Sequence, residues 1–146
     1  MAVLKKITPA PIVDSVVEIR FQPAINKDEV FVLLFKEFNG EFSKFKTSAI
    51  PQQLRQTKQF QYFVEGTLSN EEYSIGIGSN VVTFNCVNGY KDWVNYFPVI
   101  KKSLDKISAT GVVAKIERLG IRYTNFFKGI DYVTKNLNLL IDFGAK

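Results

Sequence analysis

The chain has 146 residues, 46% apolar and 23% charged, the balance of a packed globular domain and not of a disordered tail. Its 19 Lys and Arg against 14 Asp and Glu leave a net charge of +5. The absence of histidine excludes Ser-His-Asp and Cys-His triads and every His-ligated metal site, and the single cysteine excludes an intrachain disulfide and a Cys-based zinc cluster.

The first element is a strand over Ile12 to Phe21. Val17, Ile19 and Phe21 alternate with Val16, Glu18 and Arg20, a period of two that buries one face. Pro9 and Pro11 stiffen its approach and Pro23 ends it. A helix follows from Lys27 to Phe38. Asn26 is its N-cap, Glu29 stands in capping-box spacing, Asp28 and Glu29 favour the positive end of the dipole, and Asn39-Gly40 stops it. Apolar residues occupy nearly every side of this helix, which places it between a sheet and a second surface.

Glu41 to Phe60 has weak periodicity and reads as loop or irregular structure, with room for a short helix around Gln52 to Arg55. Three antiparallel strands come next, over Tyr62 to Leu68, Glu72 to Gly78 and Val81 to Val87. Ser69-Asn70 and Gly78-Ser79-Asn80 have hairpin-turn composition. Cys86 reads as a small core residue in the last of them.

In the second helix Trp93, Phe97, Ile100, Leu104 and Ile107 are spaced +4, +3, +4, +3, with Asp92 at its start and Gly111 past its end. Pro98 inside the pattern predicts a kink or a separate first turn. Val112 to Phe127 is a long strand in which Gly120 marks a bulge or bend, and Ile130 to Phe143 has roughly helical spacing. The order β-α-βββ-α-β-(α) predicts an α+β fold: one domain over residues 1–146, a mainly antiparallel sheet of about five strands, and two main helices on one face. The expected core is Phe21, Leu34, Phe38, Val64, Ile75, Phe84, Trp93, Phe97, Ile100, Leu104, Ile116 and Ile121.

Pro11 to Phe21 (PIVDSVVEIRF), Tyr90 to Phe97 (YKDWVNYF) and Arg118 to Asn125 (RLGIRYTN) resemble, in that order, a sporadically distributed family of prokaryotic proteins of uncharacterised activity. Its members open with a similar strand and carry a similar Arg-x-Gly-x-Arg-Tyr strand after a helix. Members are usually longer, with a second half, so the resemblance implies that this chain is either their N-terminal half or a short variant. It implies no activity.

Two polar constellations stand out. Glu18 and Arg20 lie on one strand and Glu117, Arg118, Arg122 and Asn125 on another. Adjacent strands would form a cross-strand ion pair that sets register, or a pocket whose arginines hold a phosphate or carboxylate. Lys44, Lys46, Arg55 and Lys58, interleaved with Phe42, Phe45, Phe60, Tyr62 and Phe63, read as a solvated basic surface or as a single-strand nucleic-acid contact. Gly76-Ile77-Gly78 lacks the third glycine and following helix of a phosphate loop and reads as a turn.

Surplus hydrophobicity in the first helix and the tail points to a protein interface. The functional expectation is therefore a non-catalytic interaction module with a protein partner or a second copy of the chain. The alternatives are nucleic-acid binding through residues 44–62 and a phosphate-handling enzyme around Arg118 and Arg122. No catalytic residue, metal or cofactor is assigned. No apolar run reaches the ~18 residues of a membrane span and no apolar stretch follows Lys5 and Lys6, so the expected compartment is the cytoplasm.

Overall fold

A computed structural model of the chain describes residues 10–49, 57 and 60–127. The expected helices at Gln52–Arg55 and Ile130–Phe143, and the basic residues Arg55 and Lys58, lie outside the described residues. Within them the order is β1 (Ile12–Pro23), α1 (Lys27–Phe38), β2 (Lys44–Thr47), β3 (Gly66–Ser69), β4 (Tyr73–Ile77), β5 (Val81–Cys86), α2 (Asp92–Ala109) and β6 (Val113–Asn125). The six strands form one sheet in the order β2-β3-β4-β5-β1-β6, each pair antiparallel. This is an α+β fold with one strand more than expected. The extra strand, β2, has all four residues exposed, so no apolar alternation marks it in the sequence.

Register explains the core. Val17 faces Phe84, Phe84 faces Ile75 and Ile75 faces Leu68, while Ile19 faces Val82 and Val82 faces Ile77. Residues directly opposite in an antiparallel pair share a face. These side chains therefore make one apolar layer, and Val30, Leu34 and Phe38 of α1 and Tyr96, Ile100 and Ile107 of α2 bury into it.

The Asn26 side chain caps α1 by accepting from the Asp28 N–H at 3.3 Å. The second surface beside α1 is β2: the Phe45 ring lies 5.0 Å from Phe35 and 6.3 Å from Phe31. Helix α2 is a single helix with Pro98 inside it, with no separate first turn. Lys102 and Lys106 of α2 turn toward α1, pairing with Glu41, and Lys106 also meets Glu37 at 3.8 Å.

Of the expected core, Phe21, Leu34, Phe38, Ile75, Phe84 and Ile100 are buried, while Val64, Trp93 and Leu104 are half-buried. Phe97, Ile116 and Ile121 are not core residues: they are 46%, 61% and 49% exposed. The reason is geometric. Helices ~10 Å apart cover about two strands each at ~4.8 Å spacing, so two helices cannot roof six strands. Cys86 is half-buried, and burial pushes its thiol pKa up. Among the described residues no helix is long and apolar enough to cross a membrane.

Candidate functional site

The face of the sheet opposite the helices is polar along β1 and β6. It carries Glu18 and Arg20 from β1, opposite Gly120 and Arg118 of β6. Arg20 and Arg118 are thus direct cross-strand partners, an arrangement that repels unless a carboxylate intervenes. Glu18 supplies it: its Oε1 lies 2.7 Å from Arg20 Nε and 3.7 Å from Arg118 Nη1. One oxygen serves both arginines, without a bidentate fork, and the Arg20 Nε–H has no aligned acceptor, so the contact is ionic and not a directed hydrogen bond.

The segment that follows Phe60 completes the cluster. The Arg20 guanidinium lies 4.4 Å from the centre of the Tyr62 ring, a cation–π contact. The Tyr62 hydroxyl donates to Glu117 Oε2 at 2.9 Å and the Gln22 amide donates to Glu117 Oε1 at 2.9 Å. These two bonds, Gln22's first, hold the Glu117 carboxyl below its ordinary range; the Tyr62 phenol is raised because its proton is held by Glu117. Glu18 alone meets the two arginines; Glu117 is held by Gln22 and Tyr62, with Lys115 and Lys27 as its charged neighbours. An incoming anion would have to displace Glu18.

Arg122 lies farther along the same face, opposite Val16, and has no ion-pair partner among the described residues. Asn125 is opposite Ile12 and is not part of the cluster. It lines a separate open cleft of about 520 Å³ with Pro11, Tyr90, Asp92, Trp93 and Asn95, where the only charged side chain is Asp92. No convergence of arginine and carboxylate occurs there. Among the described residues no group of three carboxylate or cysteine ligands could hold a metal ion.

The basic and aromatic set is dispersed. Lys44 pairs with Glu71, and Lys44 and Lys46 sit on β2. Tyr62 reaches β1, four strand positions away and thus roughly 19 Å at ordinary spacing. Phe42 is buried, Phe45 packs against α1, and Phe60 lies 6.2 Å from Phe63.

A second feature escapes the sequence reading. On the helix side β6 presents Ile116, Leu119, Ile121 and Tyr123, which lie opposite Phe21, Ile19, Val17 and Ser15 of β1. The β1 residues are buried under the helices; the β6 residues are 61%, 64%, 49% and 41% exposed. Trp93 and Phe97, stacked at 5.4 Å, occupy the flank of α2 away from the lysines that meet α1. Tyr90, just before α2, meets the Tyr123 ring edge-on at 5.8 Å, and burial, then contact with Tyr123, pushes its phenol up to about 12. The result is an apolar ledge with β6 as floor and α2 as wall. Its signal in the sequence is apolar alternation on the last strand of the pattern, but strand order decides whether that face is roofed.

The fold and these surfaces define an α+β domain with an arginine–glutamate ion-pair cluster on one sheet face and, among the described residues, an uncovered apolar edge on the other. No protein-family model, curated protein or solved structure matches the chain.

Proposed function

We propose that the chain is a non-catalytic protein-interaction module that associates with a second copy of itself through β6 and the adjoining flank of α2. The observation that carries this reading is the exposure of Ile116, Leu119, Ile121 and Tyr123 together on one face of an edge strand. Contiguous apolar surface of this kind is unfavourable in water unless a partner covers it. Among the described residues Arg20 and Arg118 of the opposite face share Glu18, and Arg122 stands apart from them without an ion-pair partner, so arginine and carboxylate do not converge on an open site. The family resemblance of β1 and β6 assigns no activity that competes with this reading.

Sedimentation velocity of the full chain over a wide concentration range tests it. The expected result is a concentration-dependent dimer that Leu119→Lys disperses without loss of helical signal. A chain that stays monomeric throughout, with no binding of an apolar dye, overturns it.

Nucleic-acid binding is the second reading, on one observation. Lys46, Lys115 and Arg122 have no ion-pair partner among the described residues, and Lys115 and Arg122 share the polar face of β6. Fluorescence anisotropy with labelled single-stranded and duplex DNA and RNA across salt tests it. Binding that survives near-physiological salt and falls in Lys46→Ala/Arg122→Ala would favour this reading over the first.

A further inference from the structure

Strand β6 has one edge on β1 and the other unpaired among the described residues. Which residues serve which edge follows from alternation. The Phe126 N–H donates to the Pro11 carbonyl at 2.7 Å, and the Phe21 N–H points away from β6, to Asn80 at 2.9 Å. Backbone groups in an antiparallel strand alternate sides residue by residue. Thr124, Arg122, Gly120 and Arg118 therefore direct their N–H and C=O groups to β1, and Leu119, Ile121 and Tyr123 direct theirs outward. The outward row belongs to the same residues whose side chains form the apolar floor.

We infer that the second copy docks by antiparallel β6–β6 pairing about a two-fold axis at Ile121, joining two six-stranded sheets into one. This inference rests on the self-association proposed above and specifies its geometry. Charge selects the register. With the axis at Ile121, Ile121 meets its own copy and Leu119 meets Tyr123 twice on the helix side. On the polar side Arg122 lies opposite Gly120 and Arg118 opposite Thr124. Gly120 has no side chain, but the Arg118 guanidinium of its own chain lies over it, 3.8 to 3.9 Å from where a Cβ would stand, so the arginines of the two copies are diagonal neighbours and not directly opposite.

Neighbouring registers are worse. An axis at Gly120 sets Arg118 against Arg122 twice, and one at Arg122 sets that arginine against itself; like charges directly opposite are destabilising. An axis at Leu119 runs Ile121 onto Glu117, at the register shift between the Arg20–Arg118 and Phe21–Ile116 pairs. An axis at Tyr123 sets Ile121 against Asn125. The Ile121 register alone among these pairs apolar with apolar and sets no arginine directly opposite another.

Two measurements on the full chain test this. In a Cys86→Ser background, Ile121→Cys brings two Cα atoms to ~5.5 Å, within disulfide reach, whereas Leu119→Cys leaves its copies roughly 14 Å apart. Ile121→Cys should therefore form a covalent dimer on mild oxidation and Leu119→Cys should not.

The second measurement is a charge swap. A Cβ at Gly120 meets only the Arg118 guanidinium, at 3.8 to 3.9 Å, and a lysine there sits beside Glu18 within its own chain. Gly120→Lys should keep the fold and weaken the dimer roughly fivefold, through two Lys–Arg oppositions. Adding Arg122→Glu should restore it.

A dimer that cross-links through Leu119→Cys or Tyr123→Cys instead, or that Arg122→Glu does not restore, overturns this register and leaves the interaction module standing. A chain monomeric at every concentration overturns both.

Discussion

Ile19 and Leu119 face each other across β1 and β6, yet one is 6% exposed and the other 64%. Truncating each to alanine should separate the roofed sheet from the bare one. Ile19 packs in the central cluster with Val82 as its other cross-strand neighbour, so Ile19→Ala creates a cavity and should cost about 3 kcal/mol. Leu119 has lost about a third of its surface to the monomer. Full burial of a leucine contributes about 1.5–3 kcal/mol, so Leu119→Ala should cost about 0.5–1 kcal/mol. Denaturant unfolding of dilute protein, followed by the fluorescence of Trp93, measures both; that indole lies 6.0 Å from buried Tyr96. At higher concentration the Leu119→Ala penalty should grow, because association stabilises the wild-type fold by mass action. A cost of 2 kcal/mol or more at dilution, unchanged with concentration, would mean that Leu119 is covered within the monomer, and the ledge reading would fall.

The buried Tyr96 hydroxyl lies beside Ser15 Oγ and the Val17 backbone, yet neither it nor Ser15 Oγ has an aligned hydrogen-bond partner. Tyr96→Phe should be neutral or stabilising by up to ~1 kcal/mol in thermal unfolding, and a loss above that would reveal a hydrogen bond. A Cβ at Gly78 would strike the Phe63 carbonyl oxygen, a backbone atom, so Gly78→Ala should lower stability by ~2 kcal/mol and loosen the 60–65 segment in hydrogen exchange. Glu41 is held below its ordinary value of 4.5, chiefly by hydrogen bonding to Lys106 and then to Lys102, against burial. A depressed folded pKa stabilises above the unfolded value and is lost as pH falls through the folded one. Glu41→Gln should therefore flatten the acid limb of unfolding free energy below about pH 4.5, by under ~1 kcal/mol because the group is partly solvated. An acid limb identical to wild type would refute that assignment.

Local signals were legible where local physics decides. The Asn26 cap and the Asn39-Gly40 stop bound α1 to Lys27–Phe38, as the structure has it. The apolar stripe of α2 and the alternation of β1 were equally plain. Glu18, Arg20 and Arg118 could be grouped because β1 and β6 each place them on one parity. Asn125, three residues beyond Arg122, falls on the other parity and so faces the α2 cleft. Tyr62 was grouped with Lys44 by sequence proximity, but the chain carries it across the sheet to Arg20. Ile116 and Ile121 have the chemistry of core residues. Their exposure depends on β6 lying at the edge, which only the strand order sets.

The two edges of the sheet are treated differently, and that contrast supports the reading of β6. Folded proteins protect sheet edges with short strands and charges, because an unpaired backbone row is a template for another strand. Edge β2 follows that rule: four residues long, with Lys44 and Lys46 on it. Edge β6 breaks it, running thirteen residues with Leu119, Ile121 and Tyr123 turning both apolar side chains and backbone groups outward. Its charges, Arg118 and Arg122, point to the other face, where Arg118 shares Glu18 with Arg20. Among the described residues the sheet guards one edge and leaves the longer, more apolar one unpaired, the asymmetry expected when that edge serves as a contact surface. The single glycine opposite Arg122 in the Ile121 register keeps the arginines of two such edges from lying directly opposite each other.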